Sequence, residues 1–292
     1  MKLAQSSFVY FNYPLDQAIR RLHQLGYAGI EIWGGRPHMY RHDLDAELDR
    51  IKALLDEFEM TVPNFIPAQF RYPSILCSSN ESVRRDSVRY IEDAIDNAIK
   101  VGAPSVSLCA GMTLVGESVD EGWANLRQSF IELLDYTAQT DLLLLIEPAH
   151  RAESTLILTV ADGLRMIHEI QSERVGICLD TGHAALNGED LPQVVRALKG
   201  VPPMSANSLI DIGGVPLHIH IDDNNGDSDA HMIPGEGSID YGPLVRALGE
   251  MGYQGFVSAE LGFQYTLDPD DAVRKTRVAL SEMLSAEGEP SS

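Results

Sequence analysis

The sequence predicts an α/β protein, a (β/α)₈ TIM barrel in a single domain, from three observations. Short apolar, β-branched segments alternate with longer amphipathic segments, and this alternation repeats eight times. Segments such as residues 142–146 are continuously apolar, which indicates strands buried on both faces of a parallel sheet. The length of 292 residues is usual for such a barrel. A doubly wound sheet would need a topological switch and usually has fewer strands.

The eight units follow one another along the chain. Apolar runs predict strands at residues 3–9, 29–33, 61–66, 105–109, 142–147, 175–180, 217–221 and 255–261. Helical spacing of apolar residues predicts helices at residues 14–25, 44–58, 81–101, 119–139, 160–170, 190–198, 241–251 and 269–284. No low-complexity linker divides the chain, so residues 1–285 are predicted to form one barrel and residues 286–292 a flexible tail.

The composition excludes several classes of function. The net charge of −21 opposes binding to nucleic acid, which depends on cationic groups that neutralise phosphates. No apolar run reaches the roughly 20 residues of a membrane-spanning helix, and no signal-peptide pattern precedes the first strand. The three cysteines lack the paired spacing of disulfide frameworks or zinc fingers. A cytoplasmic protein without nucleic-acid or membrane partners is expected.

Carboxylates and imidazoles stand at the ends of the last four predicted strands and in the loop after strand seven. They are Glu147, Asp180, His183, His218, His220, Asp229, His231 and Glu260. Because the C-terminal ends of barrel strands meet at one mouth, these side chains are expected to lie close together. Several charged groups that point to one buried place require a cation.

Each of these residues also has a plain structural explanation. Asp180 would serve as the N-cap of the next helix, and Glu147 as a solvated carboxylate at a strand end. His218 and His220 would be half-buried histidines bonded to the backbone. Their shared position at one end of the barrel favours a metal site instead. Carboxylates with an imidazole suit Mn²⁺ or Mg²⁺, with Co²⁺ and Zn²⁺ as alternatives.

Five short motifs around these residues resemble those of the xylose-isomerase-like TIM barrel superfamily of sugar isomerases and epimerases, and the resemblance extends over nearly the whole chain. They are Ile146-Glu147-Pro148, Leu179-Asp180-Thr181-Gly182-His183, residues 218–223, Pro234-Gly235-Glu236-Gly237 and Ala259-Glu260-Leu261. In its ketose 3-epimerase branch, the resemblance implies one divalent metal ion held by Glu147, Asp180, His220 and Glu260. It also implies that Glu147 and Glu260 exchange a proton at C3 through a metal-bound enediolate. His183 and Glu153 match positions that bind substrate hydroxyls.

Two further stretches, residues 26–38 and 228–237, resemble the fructoselysine 3-epimerase group, which acts on sugar–amine adducts. His231 lies in the second stretch and is assigned to substrate binding. The segment Thr181-Gly182-His183 departs from that group, so the substrate remains open. Trp33, together with Phe263, is expected either to form an apolar wall for the sugar or to belong to the core. Arg36 either holds a polar end of the substrate or pairs with a nearby acid.

Three other functions remain open on the same scaffold. A dehydratase or lyase of the dehydroshikimate or inosose type would use the same metal site. A DNA-repair endonuclease would use Asp229 and His231 as well, but histidines expected from earlier strands are replaced by Asn64 and Cys109. A non-catalytic binding module should have lost Glu147 or Glu260.

A phosphorylated substrate is not expected, because no basic glycine-rich loop follows strands seven or eight. By analogy with relatives, a homodimer or homotetramer is expected.

Overall fold

The computed structural model describes residues 1–69, 74–199 and 214–285, and it contains the predicted closed barrel. Eight parallel strands pair in sequence order, and the last strand pairs with the first. The strands are β1 (Lys2–Ser6), β2 (Gly29–Gly34), β3 (Phe65–Pro67), β4 (Ser105–Cys109), β5 (Leu143–Glu147), β6 (Val175–Asp180), β7 (Leu217–Ile221) and β8 (Phe256–Ala259). The prediction of a single-domain TIM barrel is confirmed.

Helices connect the strands on the outside of the barrel. They are α1 (Leu15–Gln24), α2 (Leu48–Glu57), α3 (Glu81–Lys100), α4 (Val119–Tyr136), α5 (Val160–Ile170), α6 (Thr181–Leu186), α7 (Leu191–Lys199), α8 (Tyr241–Met251) and α9 (Pro269–Ser285). Side-chain caps begin several of them, as at α5, where Thr159 and Asp162 form a reciprocal capping box. Gly252 ends α8 in the left-handed conformation with φ of 80°.

Several elements differ from the sequence-based prediction, most clearly β1, β3 and α6. Strand β1 ends at residue 6 because the Ser6 hydroxyl accepts the backbone N–H of Phe8 and begins a 3₁₀ helix, Ser7–Tyr10. Strand β3 is shorter than predicted and covers only Phe65–Pro67. Helix α6 was not predicted; it begins directly after β6 because Asp180 Oδ1 accepts the backbone N–H of His183. The predicted tail at residues 286–292 lies outside the described residues.

The strand register sets the height of the polar side chains at the mouth. Asp180 on β6 lies opposite His220 on β7, and His220 lies opposite Ser258 on β8. Glu147 at the end of β5 lies opposite Cys109 on β4. Neighbouring strands therefore bring these groups to the same level at the C-terminal end of the barrel. Within the described ranges, no helix combines the length and the apolar character needed to cross a membrane.

Candidate metal and sugar site

A cavity of about 600 Å³ opens at the C-terminal mouth of the barrel. Its floor carries Glu147 and Glu260, and its polar side carries Glu153, His183, Asp229 and His231. Its apolar side includes Phe8, Trp33, Ile66, Leu261 and Phe263. A volume of this order accommodates a small organic ligand, and the mixed lining suits a molecule with both polar and apolar faces.

Glu147, Asp180, His220 and Glu260 come together where Glu147 and Glu260 line the floor of this cavity. One donor atom from each lies within 4.8 Å of the donor atoms of the other three. His220 Nδ1 lies 2.8 Å from Glu147 Oε1 and 3.0 Å from Glu260 Oε2. The structure therefore brings together the four residues that the family resemblance implies as ligands of one ion.

Asp180 supplies the test of whether these groups fit a cation. Its Oδ1 accepts the backbone N–H of His183 at 2.7 Å and so caps α6, whereas its buried Oδ2 has no hydrogen-bond partner. Burial, and next the neighbouring charge of Asp222, raise the pKa of Asp180 well above its ordinary value. Asp180 is thus the N-cap of α6, as its structural explanation expected, and its other carboxylate oxygen is left for a cation. The residues present fit a divalent ion with oxygen-rich coordination.

A fourth carboxylate, which the sequence analysis did not assign to the site, lies behind His220. Glu31 on β2 is completely buried, and its Oε1 lies 2.8 Å from His220 Nε2 while its Oε2 lies 3.1 Å from His218 Nε2. Burial opposes ionisation of Glu31, but His220 and His218 together hold its pKa well below its ordinary value. A charged residue inside an otherwise apolar strand was the available signal for this role.

Asp229 and His231 form a polar cluster beside the four converging groups. His231 Nε2 lies 3.1 Å from Asp229 Oδ2, and His231 Nδ1 lies 3.0 Å from Asp222 Oδ2. His150 Nε2 lies 3.2 Å from the same Asp229 oxygen. Burial would raise the pKa of Asp229, but these imidazoles hold it below its ordinary value. The cluster keeps a negative charge at the polar side of the cavity.

Burial lowers the pKa of His183, but Asp180 and Asp229 outweigh this effect and raise it to about 9, and the hydrogen bonds of the ring define the tautomer of its neutral form. The backbone N–H of His150 donates to His183 Nδ1 at 3.1 Å, so in the neutral ring Nδ1 holds the lone pair and Nε2 holds the proton. His183 Nε2 lies 3.9 Å from Asp229 Oδ1. In the neutral state His183 Nε2 is therefore a hydrogen-bond donor at the cavity wall rather than a metal ligand.

Two ionisable groups of the lining are strongly affected by burial. Burial raises the pKa of Glu153 to about 7, with His183 opposing this effect and Asp229 adding to it. Burial and the charge of Glu147 raise the pKa of the Cys109 thiol well above its ordinary value. The Cys109 Sγ lies 3.6 Å from Glu147 Oε2, so the thiol donates a weak hydrogen bond to that carboxylate.

Asp223 fixes the loop between β7 and α8, which carries Asp229 and His231. It is completely buried, and its carboxylate accepts four backbone N–H groups. These come from Asn224, Gly235, Gly237 and Ile239 at 2.8–3.1 Å. A Cβ at Gly237 would lie 2.3 Å from Asp223 Oδ1, which explains the glycine in the Pro234-Gly235-Glu236-Gly237 motif.

The apolar side of the cavity is built from aromatic rings. Phe8 makes edge contacts with Trp33 at 5.1 Å and with Phe263 at 4.7 Å between ring centroids. Phe263 is 67% exposed and Trp33 is partly buried. Of the two interpretations for these rings, the wall of the cavity is the one their positions favour.

Arg36 lies away from the cavity lining. Its guanidinium pairs with Asp43, with Nε 2.5 Å from Oδ2, and it stacks over the ring of Tyr40 at 4.5 Å. The structure therefore favours the ion pair over substrate binding for Arg36. The remaining residues assigned to substrate binding, His183, Glu153, His231 and Trp33, all line the cavity.

Comparison with known proteins places this geometry in a family. Residues 19–282 match the family model of the xylose isomerase-like TIM barrel. The fructoselysine 3-epimerase of Shigella flexneri is 31% identical over 257 residues, which are 88% of either chain. A probable endonuclease 4 of Mycobacterium leprae is 25% identical over 224 residues, 75% of this chain and 79% of that protein.

Solved structures give the same result. A D-tagatose 3-epimerase-like protein superposes with a TM-score of 0.79 and 25% identity, covering 98% of both chains. An L-ribulose 3-epimerase superposes with a TM-score of 0.77 over 98% of this chain and 95% of its own, and at 17% identity it supports the fold alone. The resemblance and the assignment to sugar isomerase and epimerase enzymes are confirmed at this level. The chain belongs to the xylose isomerase-like TIM barrel family.

Proposed function

We propose that this protein is a metal-dependent sugar epimerase that inverts C3 of a ketose or of a ketose–amine adduct. The observation that carries the proposal is the convergence of Glu147, Asp180, His220 and Glu260 at the floor of a cavity of about 600 Å³. The unpartnered, buried Oδ2 of Asp180 supports a cation there. Three carboxylates with one imidazole suit Mn²⁺ first, with Mg²⁺, Co²⁺ or Zn²⁺ as alternatives.

The positions of Glu147 and Glu260 support inversion of a carbon centre. Glu147 ends β5 and Glu260 follows β8, so the two carboxylates reach the same imidazole nitrogen from strands separated by β6 and β7. One carboxylate accepts the proton of the C3–H bond, and the electron pair moves into the adjacent carbonyl. The other, in its acid form, donates a proton to the opposite face of C3. Proton exchange of the two carboxyl groups with solvent then restores their starting states for the next turnover.

Other cavity residues would orient the sugar. A divalent ion bound by the four residues would supply Lewis-acid stabilisation of charge on the sugar oxygens. His183 Nε2–H would donate to a substrate oxygen, and Glu153, with a pKa raised to about 7 by burial, would exchange hydrogen bonds with hydroxyl groups. His231 would fix the polar side, and Trp33 with Phe263 would cover the apolar face of the sugar and exclude water.

The lining and one relative indicate which substrates to test first. None of the described lining residues is a lysine or an arginine, the side chains that most often bind a phosphate. The relative with 31% identity is a fructoselysine 3-epimerase. Free ketohexoses and fructoselysine are therefore the first substrates, in preference to sugar phosphates.

An exchange experiment in D₂O tests the proposal. The protein, stripped of metal and reloaded with Mn²⁺, is incubated with fructose, tagatose or fructoselysine, and the products are identified by NMR after Mn²⁺ is removed. The proposal predicts deuterium at C3 together with the C3 epimer, and it predicts that a chelator abolishes both. Loss of water from a cyclic keto acid, with no exchange in any ketose, would instead favour the dehydratase alternative.

The endonuclease alternative has less support. The net charge of −21 opposes binding to DNA. In the neutral ring of His183, the hydrogen bond from the His150 backbone to Nδ1 leaves the proton on Nε2, so His183 is not arranged as a metal ligand. Cleavage of DNA at abasic sites, with more than one metal ion per chain, would revive that alternative.

A further inference from the structure

We propose that Glu31 is a positioning residue that presents the Nδ1 lone pair of His220 to the metal ion. The inference rests on the proposed metal site and adds to it a residue that never touches the ion. It explains why a fully buried carboxylate occupies the middle of β2, which β1 and β8 separate from the strand of the histidine that it contacts.

The contact geometry defines the role. A neutral imidazole has one N–H and one lone pair, and only the nitrogen with the lone pair binds a metal. Glu31 Oε1 lies 2.8 Å from His220 Nε2, so the ionised carboxylate holds the proton on Nε2. The other nitrogen, Nδ1, is then the one that faces Glu147 and Glu260. Glu31 thereby selects both the tautomer and the ring orientation that the site requires.

Glu31 is itself held rigidly. His218 Nε2 donates to Oε2 at 3.1 Å, and Asn64 Nδ2 donates to Oε1 at 2.6 Å. The Asn64 amide is oriented in turn, because Ser105 Oγ donates to its Oδ1 at 2.7 Å and its Nδ2 donates to Ser107 Oγ at 3.1 Å. Donors from β7 and from the segment before β3 therefore fix both oxygens of the carboxylate, while Ser105 and Ser107 of β4 orient the Asn64 amide.

The charge of Glu31 matters as well as its position. A carboxylate behind a metal-binding imidazole increases the basicity of the ring and hence its strength as a ligand. Replacement by glutamine keeps the size and an oxygen acceptor but removes the charge. Loss of such a partner typically weakens metal affinity by about 10–100-fold.

Calorimetric titration with Mn²⁺ tests the inference on protein that has been stripped with a chelator and dialysed. We expect Glu31→Gln to raise the Mn²⁺ dissociation constant by about 10–100-fold. His218→Asn is the matched control, because it removes a hydrogen bond from the same carboxylate but leaves the contact between Glu31 and His220 in place. We expect that variant to change the dissociation constant by less than about 3-fold.

A purely structural role for Glu31 predicts a different result. Both variants would then lower the melting temperature of the metal-free protein, and they would have equal Mn²⁺ affinities. An affinity of Glu31→Gln within about 3-fold of the wild-type value overturns the inference. If Glu31→Gln does not fold, Glu31→Asp replaces it in the test. The shorter side chain of aspartate keeps the charge but moves it away from His220 Nε2, so this variant should also weaken Mn²⁺ binding. A wild-type protein that binds no Mn²⁺ would overturn the proposed metal site itself, which separates the two failures.

Discussion

Replacement of Asp180 by asparagine should have opposite effects on the metal-free and metal-loaded protein. Asparagine retains an oxygen that can accept the His183 backbone N–H, because asparagine and aspartate are about equally good N-caps. It removes the charge of a carboxylate whose Oδ2 is buried and unpartnered. The metal-free variant should therefore be more stable than the wild type, whereas its affinity for metal should fall.

The magnitudes follow from the environment of Asp180. Removal of the charge from a buried carboxylate oxygen that has no partner should raise the free energy of unfolding of the metal-free protein by about 1–3 kcal/mol. Because burial and the charge of Asp222 raise the pKa of Asp180, ionised Asp180 lowers folded stability increasingly as the pH rises. The gain from asparagine should thus be larger at pH 8 than at pH 6. In the wild type, metal at about 100 times its dissociation constant should add about 2.7 kcal/mol to the free energy of unfolding. The variant should lose most of this gain.

Thermal unfolding followed by circular dichroism, with and without Mn²⁺, measures both effects. Asp190→Asn is the matched control, because Asp190 Oδ1 likewise accepts a backbone N–H, that of Gln193, at the exposed start of α7. This control should change stability little in either condition. A metal-free Asp180→Asn protein that is less stable than the wild type, and that Mn²⁺ still stabilises fully, would refute the reasoning.

Three further perturbations test other parts of the structure. Asp223→Asn should lower the free energy of unfolding by about 3–5 kcal/mol and speed hydrogen exchange in the loop after β7, since it disrupts a buried carboxylate that accepts four backbone N–H groups. Burial lowers the pKa of His38 to about 4, so its neutral form contributes stability that is complete above pH 6.5 and is lost as the pH falls towards 4. Between pH 7 and pH 5, the urea-unfolding free energy of the wild type should therefore fall by about 2 kcal/mol more than that of His38→Gln. Phe263→Ala should leave the melting temperature nearly unchanged, because the ring is 67% exposed, but should raise the KM for the sugar by about 3–10-fold.

Each of these substitutions has a surface control of the same chemistry. Asp227→Asn lies in the same loop as Asp223 but is exposed, and its stability should be that of the wild type. His42→Gln makes the same change of side chain at a position whose histidine is 62% exposed, and it serves as the control for the substitution itself. Leu267→Ala removes a side chain that is 88% exposed and outside the cavity, so KM should stay constant. Equal effects of a variant and its control would contradict the corresponding prediction.

The barrel was predictable because its periodicity is local. Each strand and each following helix is encoded within a short window, and the closed order of eight strands follows from their count. The boundaries were less predictable where one side-chain bond decides them. The Ser6 hydroxyl ends β1 early, and the Asp180 carboxylate starts α6, and neither bond is visible in hydrophobic periodicity.

The convergence at the mouth was predictable for a different reason. Parallel strands place their C-terminal residues at one level, so the sequence positions of Glu147, Asp180 and His220 were sufficient to bring them together. The charge of Glu31 inside an apolar strand was a signal of a polar partner, but the partner itself was not predictable, because His220 lies 189 residues away in the sequence. The role of Asp223 depends on the path of a loop, which sequence pattern does not specify.

An anomalous difference map from a crystal soaked in MnCl₂ tests the central claim most directly. We predict one strong peak per chain, bonded to a carboxylate oxygen of Glu147, Asp180 and Glu260 and to Nδ1 of His220. An empty floor of the cavity, or a peak held instead by His183, Asp229 and His231, would contradict the proposed site and the epimerase chemistry built on it.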